Sequence, residues 1–397
     1  MGRPRKWLLA LLVLLYGLVS AGPAWQAVSG AKHARDFATY HYAADAVLDG
    51  ADPYDTTDLS KRARKDRTRK KVHPYFYPPP FILSMLWSPS FELSESYKLF
   101  FGLNQLAWLG LIAVFRLWFR APWMVIGVLC LGFTPLTDNA KMGQANLLVL
   151  LAAVSGLWLR SGALVGVAAM AKMSPALFLF GFAASGAWRA VVAAIGFAVG
   201  SSIVALTVID FDTQWRFYTE ILPGFSTGNY HGLTVRIGLP ANHSIPDLFN
   251  QLWPGPDRHT LSAAAAMYSK AVSLSLLAVL VWIARIRRDA LGDAGTFGAL
   301  SVLMLITPVY TYEHHLAMAV FPAAVVGTAL LEGRLGRPGW LVGLPALFFT
   351  AWPLYALRPA QKLLPELHWW IQESKFIGLI GLGILCVFTA LNSPRRD

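Results

Sequence analysis

Charge is scarce in this chain: only 14% of its 397 residues are Asp, Glu, Lys or Arg, against about 25% in an ordinary soluble domain. Long uncharged runs separate the few charges, which excludes a soluble globular class and points to lipid as the solvent. Cysteine is nearly missing. Cys130 and Cys386, the two present, lie in apolar runs far apart in sequence, so neither a disulfide framework nor a thiolate metal site is expected. No phosphate-cradling P-loop and no Gly-rich dinucleotide fingerprint occurs, so a soluble nucleotide is not the expected substrate. No internal repeat stands out, and no pair of apolar segments shows the inverted symmetry that marks many secondary transporters.

What is abundant is apolar. Hydrophobic residues make up 55% of the chain and aromatics 13%, with fifteen Trp, many near the ends of apolar runs, where interfacial belts use such rings. The net charge of +12 sits in the loops between those runs. Membrane lipids therefore explain it better than nucleic acid does. Arg3, Arg5 and Lys6 precede an apolar run from Trp7 to about Ala24, read as a retained first helix with its N-terminus in the cytoplasm. Further candidate spans cover 76–92, 98–118, 122–137, 144–160, 162–184, 188–209, 265–284, 296–310, 314–332, 339–356 and 374–391, about twelve in all at the ~20 residues a crossing requires.

Three basic clusters, Arg285-Arg287-Arg288, Arg334-Arg337 and Arg395-Arg396, fall on one side if each later segment crosses, and that side is the cytoplasm. Single crossings in the first half would instead put Arg116, Arg120 and Arg160 outside, against that bias. Segments 76–92 and 162–184 contain prolines and are candidates for broken or re-entrant stretches. Two long loops, 25–75 and 210–264, then face outward. In the first, Phe37, Tyr40, Ala44, Val47 and Leu48 share one helical face and His41, Asp45 and Asp49 the opposite one. That pattern predicts a short amphipathic helix lying in the outer interface. The run 61–71 carries eight basic residues and one acid and reads as a solvated tract near lipid phosphates.

Polar residues gather at the span ends. Asp36 opens the loop helix and is either its N-cap or a general base at the membrane surface. The stretch His73-Pro74-Tyr75-Phe76-Tyr77-Pro78-Pro79-Pro80 is either a stiff lead into a span or an aromatic cavity wall. Gln144 and Asn146 begin another apolar run. Lys172, within an apolar stretch, either snorkels or meets a lipid-linked phosphate. Asn242-His243-Ser244 is a polar turn or part of a site. His314 and His315 follow Glu313 and suit either a metal or hydrogen bonds to a phosphate or sugar, but no partner cluster with metal spacing exists elsewhere. Asp210-Phe211-Asp212 reads as ordinary interfacial acids.

Taken in order, these stretches resemble glycosyltransferase family 87 (GT87), a group of membrane enzymes with the GT-C fold. The likeness rests on Asp36-Phe37 with Tyr40, Ala43-Ala44, Gly50 and Pro53-Tyr54. It continues through Tyr77-Pro78-Pro79, Gly143-Gln144 with Asn146, Lys172 with Pro175, Asn242 with Ser244, and His314-His315. It covers residues 36–315; the last spans carry no recognised motif. The resemblance implies an all-α polytopic membrane protein, one transmembrane GT-C domain over 1–397, with short amphipathic helices in its outer loops. It implies an inverting transfer of a mannose or arabinose-like sugar from a polyprenyl-phosphate donor to a lipid or glycan acceptor on the outer face of a bacterial plasma membrane. Asp36 would be the base. Tyr40, Tyr77, Gln144, Asn146, Lys172, Asn242, His314 and His315 would meet the substrates, with no metal and no cofactor. A lipid-linked glycan polymerase or ligase is the rival enzyme, and a transporter or flippase of lipid-linked sugars the rival non-enzyme. A transporter is expected to place its polar residues at mid-membrane rather than at span ends.

Overall fold

The computed structural model describes residues 6–29, 34–226, 237–239, 241–257, 259–286, 288–353, 362–363 and 365–395. Arg3, Arg5, Arg287 and Arg396, used above for orientation, lie outside the described residues. The class is all-α, with no β-strand among the described residues. Among the described residues five helices are long and apolar enough to cross a membrane: Leu93–Trp118, Trp188–Ala205, Ala263–Ala284, Glu313–Leu331 and Ser374–Leu391. The pair Trp123–Gly132 and Pro135–Met142, bent by 51°, makes a sixth if counted as one span. Shorter apolar helices, among them Asn146–Leu159, Gly162–Ala171 and Ala290–Ile306, pack between them. Helices Trp188–Ala205 and Ala263–Ala284 leave Val192, Ile195, Ile203, Leu274 and Trp282 bare. Such wide apolar exposure suits lipid and no aqueous surface.

The bundle has two chemically distinct ends. At one, Arg334 pairs with Asp289 at 2.7 Å and Arg160 with Asp293 at 2.9 Å, while the backbones of Arg288 and Arg395 meet in a bridge. The three expected basic clusters do share an end. Arg160 shares it too, which corrects the expectation of single crossings, and the cause is visible. Residues 76–92 do not traverse the bundle: they form two 3-10 turns, Pro79–Met85 and Ser88–Ser90, because consecutive prolines lack the N–H groups a helix ladder needs. Every later helix up to Leu159 is thereby inverted relative to the simple count. Segment 162–184 then breaks after Ala171, where Lys172 is extended (φ −156°, ψ 117°) and Pro175 follows. It runs away from the basic end up to Lys172 and returns, so that Ser185 lines a cavity with Arg160 and Asp293. The second reversal restores the orientation of the remainder.

The loop 25–75 departs from expectation in two ways. Its helix, Arg35–Leu48, is present, but it does not lie on a surface. Most of it is covered, with Phe37, Tyr40, His41, Tyr42 and Ala44 all buried, while its C-terminal end, Leu48 and Asp49, stays exposed. Burial holds the His41 imidazole below its ordinary pKa, against the pull of nearby Asp45 and Asp66. The basic run is folded as well, its first half forming the helix Thr56–Lys65 capped by the Asp55 carboxylate. Arg62 reaches Asp45, Asp49 and Asp58 at 2.9, 2.6 and 2.7 Å. Asp210 of the acid triplet is a helix cap, accepting from the Thr213 N–H at 2.8 Å, and that bond lowers its pKa.

Candidate active site

The end opposite the basic clusters is built around Asp36. Its helix starts at Ala34, which adopts the left-handed region (φ 56°) and has no side-chain cap. The Ala34 N–H donates to the Lys141 carbonyl at 2.8 Å, fixing the first turn on the end of Pro135–Met142. Asp36 is therefore not the cap; it lies inside the first turn, with its carboxylate free for other partners. Gly143 completes the join. Its φ of +69° and a space in which a Cβ would stand 2.6 Å from the Phe37 Cβ both require glycine. That close passage brings the next residue, Gln144, against Asp36.

The Gln144 amide donates from Nε2 to Asp36 Oδ2 at 2.7 Å. Its carbonyl Oε1 accepts from the Tyr77 hydroxyl at 2.8 Å, with the Tyr40 hydroxyl at 3.0 Å. Tyr40 also donates to Tyr77 at 2.5 Å. Burial first, then the charges of Tyr77 and Asp36, push Tyr40 well above its ordinary pKa. Burial followed by Asp36 does the same for Tyr77, so both phenols remain protonated donors. Their rings meet edge-on at 4.8 Å. The Asp36 side chain is 14% exposed, enough for one hydroxyl to approach.

Cationic and imidazole groups lie across from it. His314 Nε2 stands 3.8 Å from Asp36 Oδ2. Lys172 donates from Nζ to Asn146 Oδ1 at 2.8 Å, and Asn146 donates from Nδ2 to the His314 carbonyl at 2.9 Å. The Lys172 ammonium and the Asp36 carboxylate feel each other's charge. His315 accepts on Nδ1 from the Tyr312 N–H at 3.2 Å, which leaves Nε2 as its N–H donor. Residues 36, 40, 77, 144, 146, 172, 314 and 315 thus converge. Asn146 is a strut between the lysine and the histidine turn.

Asn242 is placed elsewhere. Its Nδ2 donates to the Val309 and Ile237 carbonyls at 2.8 and 3.0 Å, and its Oδ1 accepts from the Thr311 N–H at 2.8 Å. It latches the second long loop to the turn that precedes the histidines. Two contributors were missed by sequence reading. Glu313 is held between His243 at 3.2 Å and Lys375 at 3.2 Å, and Lys375 is 1% exposed. A lysine in the first turn of an otherwise apolar span was the available signal. Arg69, half-buried, comes within reach of Asp36's charge, although its run read as solvated. Among the described residues no group of three or more His, Cys, Asp or Glu is arranged to hold a metal ion, and Cys130 and Cys386 are both free and buried.

A carboxylate opposite an ammonium and two imidazoles can accept a proton on one side of a bond and support a departing anion on the other. Known proteins were compared with the chain. It is 29% identical over 243 residues to a polyprenol-phosphate-mannose-dependent alpha-(1-2)-phosphatidylinositol pentamannoside mannosyltransferase of Mycobacterium tuberculosis (strain CDC 1551 / Oshkosh), covering 55% of this chain and 50% of that protein. The protein of the same description from Mycolicibacterium smegmatis (strain ATCC 700084 / mc(2)155) is 27% identical over 247 residues, 58% of this chain and 55% of that one. The chain thus spans about half the length of the curated relatives it matches. A crystal structure of ArnT from Cupriavidus metallidurans in the apo state superposes with a TM-score of 0.42 at 14% identity, over 96% of this chain and 76% of that one. The sequence model of glycosyltransferase family 87 matches residues 75–311, more than half of the sequence, and the chain belongs to that family.

Proposed function

We propose that this protein is an inverting glycosyltransferase that moves a mannose or arabinose-like sugar from a polyprenyl-phosphate donor to a lipid or glycan acceptor on the outer face of a bacterial plasma membrane. The observation that carries the reading is Asp36 facing His314 at 3.8 Å while Lys172 is tied to the His314 turn through Asn146, all from distant parts of the chain and at the end opposite Arg160, Arg288 and Arg334. Basic clusters favour the cytoplasmic side, which supports an outward-facing site. The relatives' dependence on polyprenol-phosphate mannose supports the donor class.

In this mechanism Asp36 takes the proton of an acceptor hydroxyl as its oxygen attacks the anomeric carbon. The bond from that carbon to the phosphate oxygen breaks, and its electron pair leaves with the polyprenyl phosphate. Lys172, beside the His314–His315 turn, stabilises the charge gained there. Attack opposite the leaving group inverts the anomeric configuration.

The test is to incubate purified protein in vesicles with a panel of polyprenyl-phosphate sugars, mannose and arabinose included, and phosphatidylinositol mannosides as acceptors. Release of polyprenyl phosphate with a product of opposite anomeric configuration is the expected result. Transbilayer movement of intact donor, with no cleavage of any sugar, would instead make this a transporter.

A further inference from the structure

We infer that Gln144 is a positioning residue for Asp36, and that Tyr40 and Tyr77 act by bracing the carbonyl tip of its amide. The inference rests on the proposed role of Asp36 as base. A glutamine amide carries an acceptor and a donor at its two tips, and a half-turn exchanges them. Here Asp36 settles the choice. An ionised carboxylate can only accept, so the NH2 tip faces Asp36 Oδ2 at 2.7 Å and Oε1 faces the other way. There Tyr77 donates to it at 2.8 Å, with the Tyr40 hydroxyl at 3.0 Å, and the two phenols brace the amide in the orientation the carboxylate sets. A flipped amide would set its carbonyl against a carboxylate.

Gln144 is 4% exposed, so water does not substitute for either contact. One carboxylate oxygen is thereby occupied and the other left to the acceptor. The other titratable or charged groups around Asp36 are His314, Lys172, Arg69, and the phenols of Tyr40 and Tyr77 themselves, with Arg35 beside it in sequence. None of these changes in a Gln144 substitution. Sequence resemblance had placed Tyr40, Tyr77 and Gln144 against substrate. The geometry assigns them to the base instead.

The experiment is infrared difference spectroscopy of the full-length protein in lipid at one fixed pH, with the Asp36 carboxylate stretch identified by its loss in Asp36→Asn. It needs no substrate. Gln144→Met keeps the volume and removes the donor, and the stretch is expected to move because one carboxylate oxygen loses its hydrogen bond. Tyr40→Phe/Tyr77→Phe keeps the rings and the amide but removes what braces it. A smaller movement is expected there, although neither residue bonds Asp36. A stretch unmoved in Gln144→Met, or in the double variant should Gln144→Met not fold, overturns the inference whatever the activity. Turnover is measured in parallel: a moved stretch with an active Asp36→Asn would retain the positioning and sink the base assignment.

Discussion

Replacing Asp36 with Asn keeps the shape of the side chain and removes its charge. The helix Arg35–Leu48 begins at Ala34 without a side-chain cap, so no cap is lost; what goes is the attraction of a carboxylate to a helix N-terminus, about 0.3–1 kcal/mol, and the charge that faces Gln144 and His314. The asparagine carbonyl can still accept from Gln144. Removal of a general base lowers rate by roughly 10²–10⁴. Asp36→Asn is therefore expected to melt like the parent and bind donor normally while turning over 10²–10⁴-fold more slowly. Turnover within about threefold of wild type would move the base elsewhere. Lys172→Met asks a different question at the same scale. It deletes the ammonium and the bond to Asn146, and charge-assisted hydrogen bonds contribute about 1.5–3 kcal/mol. Donor affinity is expected to fall about tenfold or more, read from a donor titration. Unchanged affinity in a folded variant would reduce Lys172 to a prop for Asn146.

At the scale of elements, the first loop is held by one guanidinium. Arg62 gathers Asp45, Asp49 and Asp58 from two helices, but Asp49 is 67% exposed, so solvent screens part of the attraction. The network is assigned about 1 kcal/mol on that account. Arg62→Met is expected to speed tryptic cleavage within 61–71, and high salt to bring the wild type towards the variant. Equal cleavage of both proteins at low salt would show that packing of Leu59 and Ala63 alone holds the helix. The second loop responds to pH. Burial, with the charge of Glu373 adding to it, raises Asp247 to about 8 from 3.8, opposed by its contact with Gln251. The folded loop thus keeps a proton the unfolded loop gives up above about 3.8. Its contribution to stability is complete below that value and lost as pH rises through about 8. Hydrogen exchange of Ile245–Leu252 is expected to quicken between pH 6 and 9 beyond its intrinsic rise, and Asp247→Asn to abolish the excess.

Sequence pattern reached some of these elements and not others. Hydrophobic periodicity located the helix around Asp36 because its Tyr and Ala residues recur at helical spacing. It misjudged the solvent, since a polar face carrying His41 and Asp45 looks the same whether water or another helix covers it. Prolines announced the breaks at 76–92 and 162–184, for the missing N–H is a local fact. Which way the chain ran after each break depended on distant packing. Lys172 was visible as a charge in an apolar run. The service of Gln144 to Asp36, of Asn242 to Val309 and of Lys375 to Glu313 was not, because each joins residues at least 62 positions apart.

For the whole molecule, orientation is the deciding quantity. Lys70 is exposed in the first loop, and both native cysteines are buried. A Lys70→Cys protein in intact cells is therefore expected to react with an impermeant thiol reagent over a silent background. Labelling only after lysis would turn the bundle over, placing the site and the sugar donor in the cytoplasm.

The clasp at Lys375 bears on how the protein is made. Its ammonium donates to the Thr350 carbonyl at 3.1 Å and meets Glu313 at 3.2 Å, so the last helix steadies the turn that carries His314 and His315. Ribosomes work from the N-terminus, and Asp36, Gln144 and Lys172 are inserted long before residue 375 is translated. Under the proposed mechanism, a chain not yet translated as far as residue 375 lacks this clasp on the histidine turn, so transfer of a lipid-linked sugar is expected to wait for Ser374–Leu391.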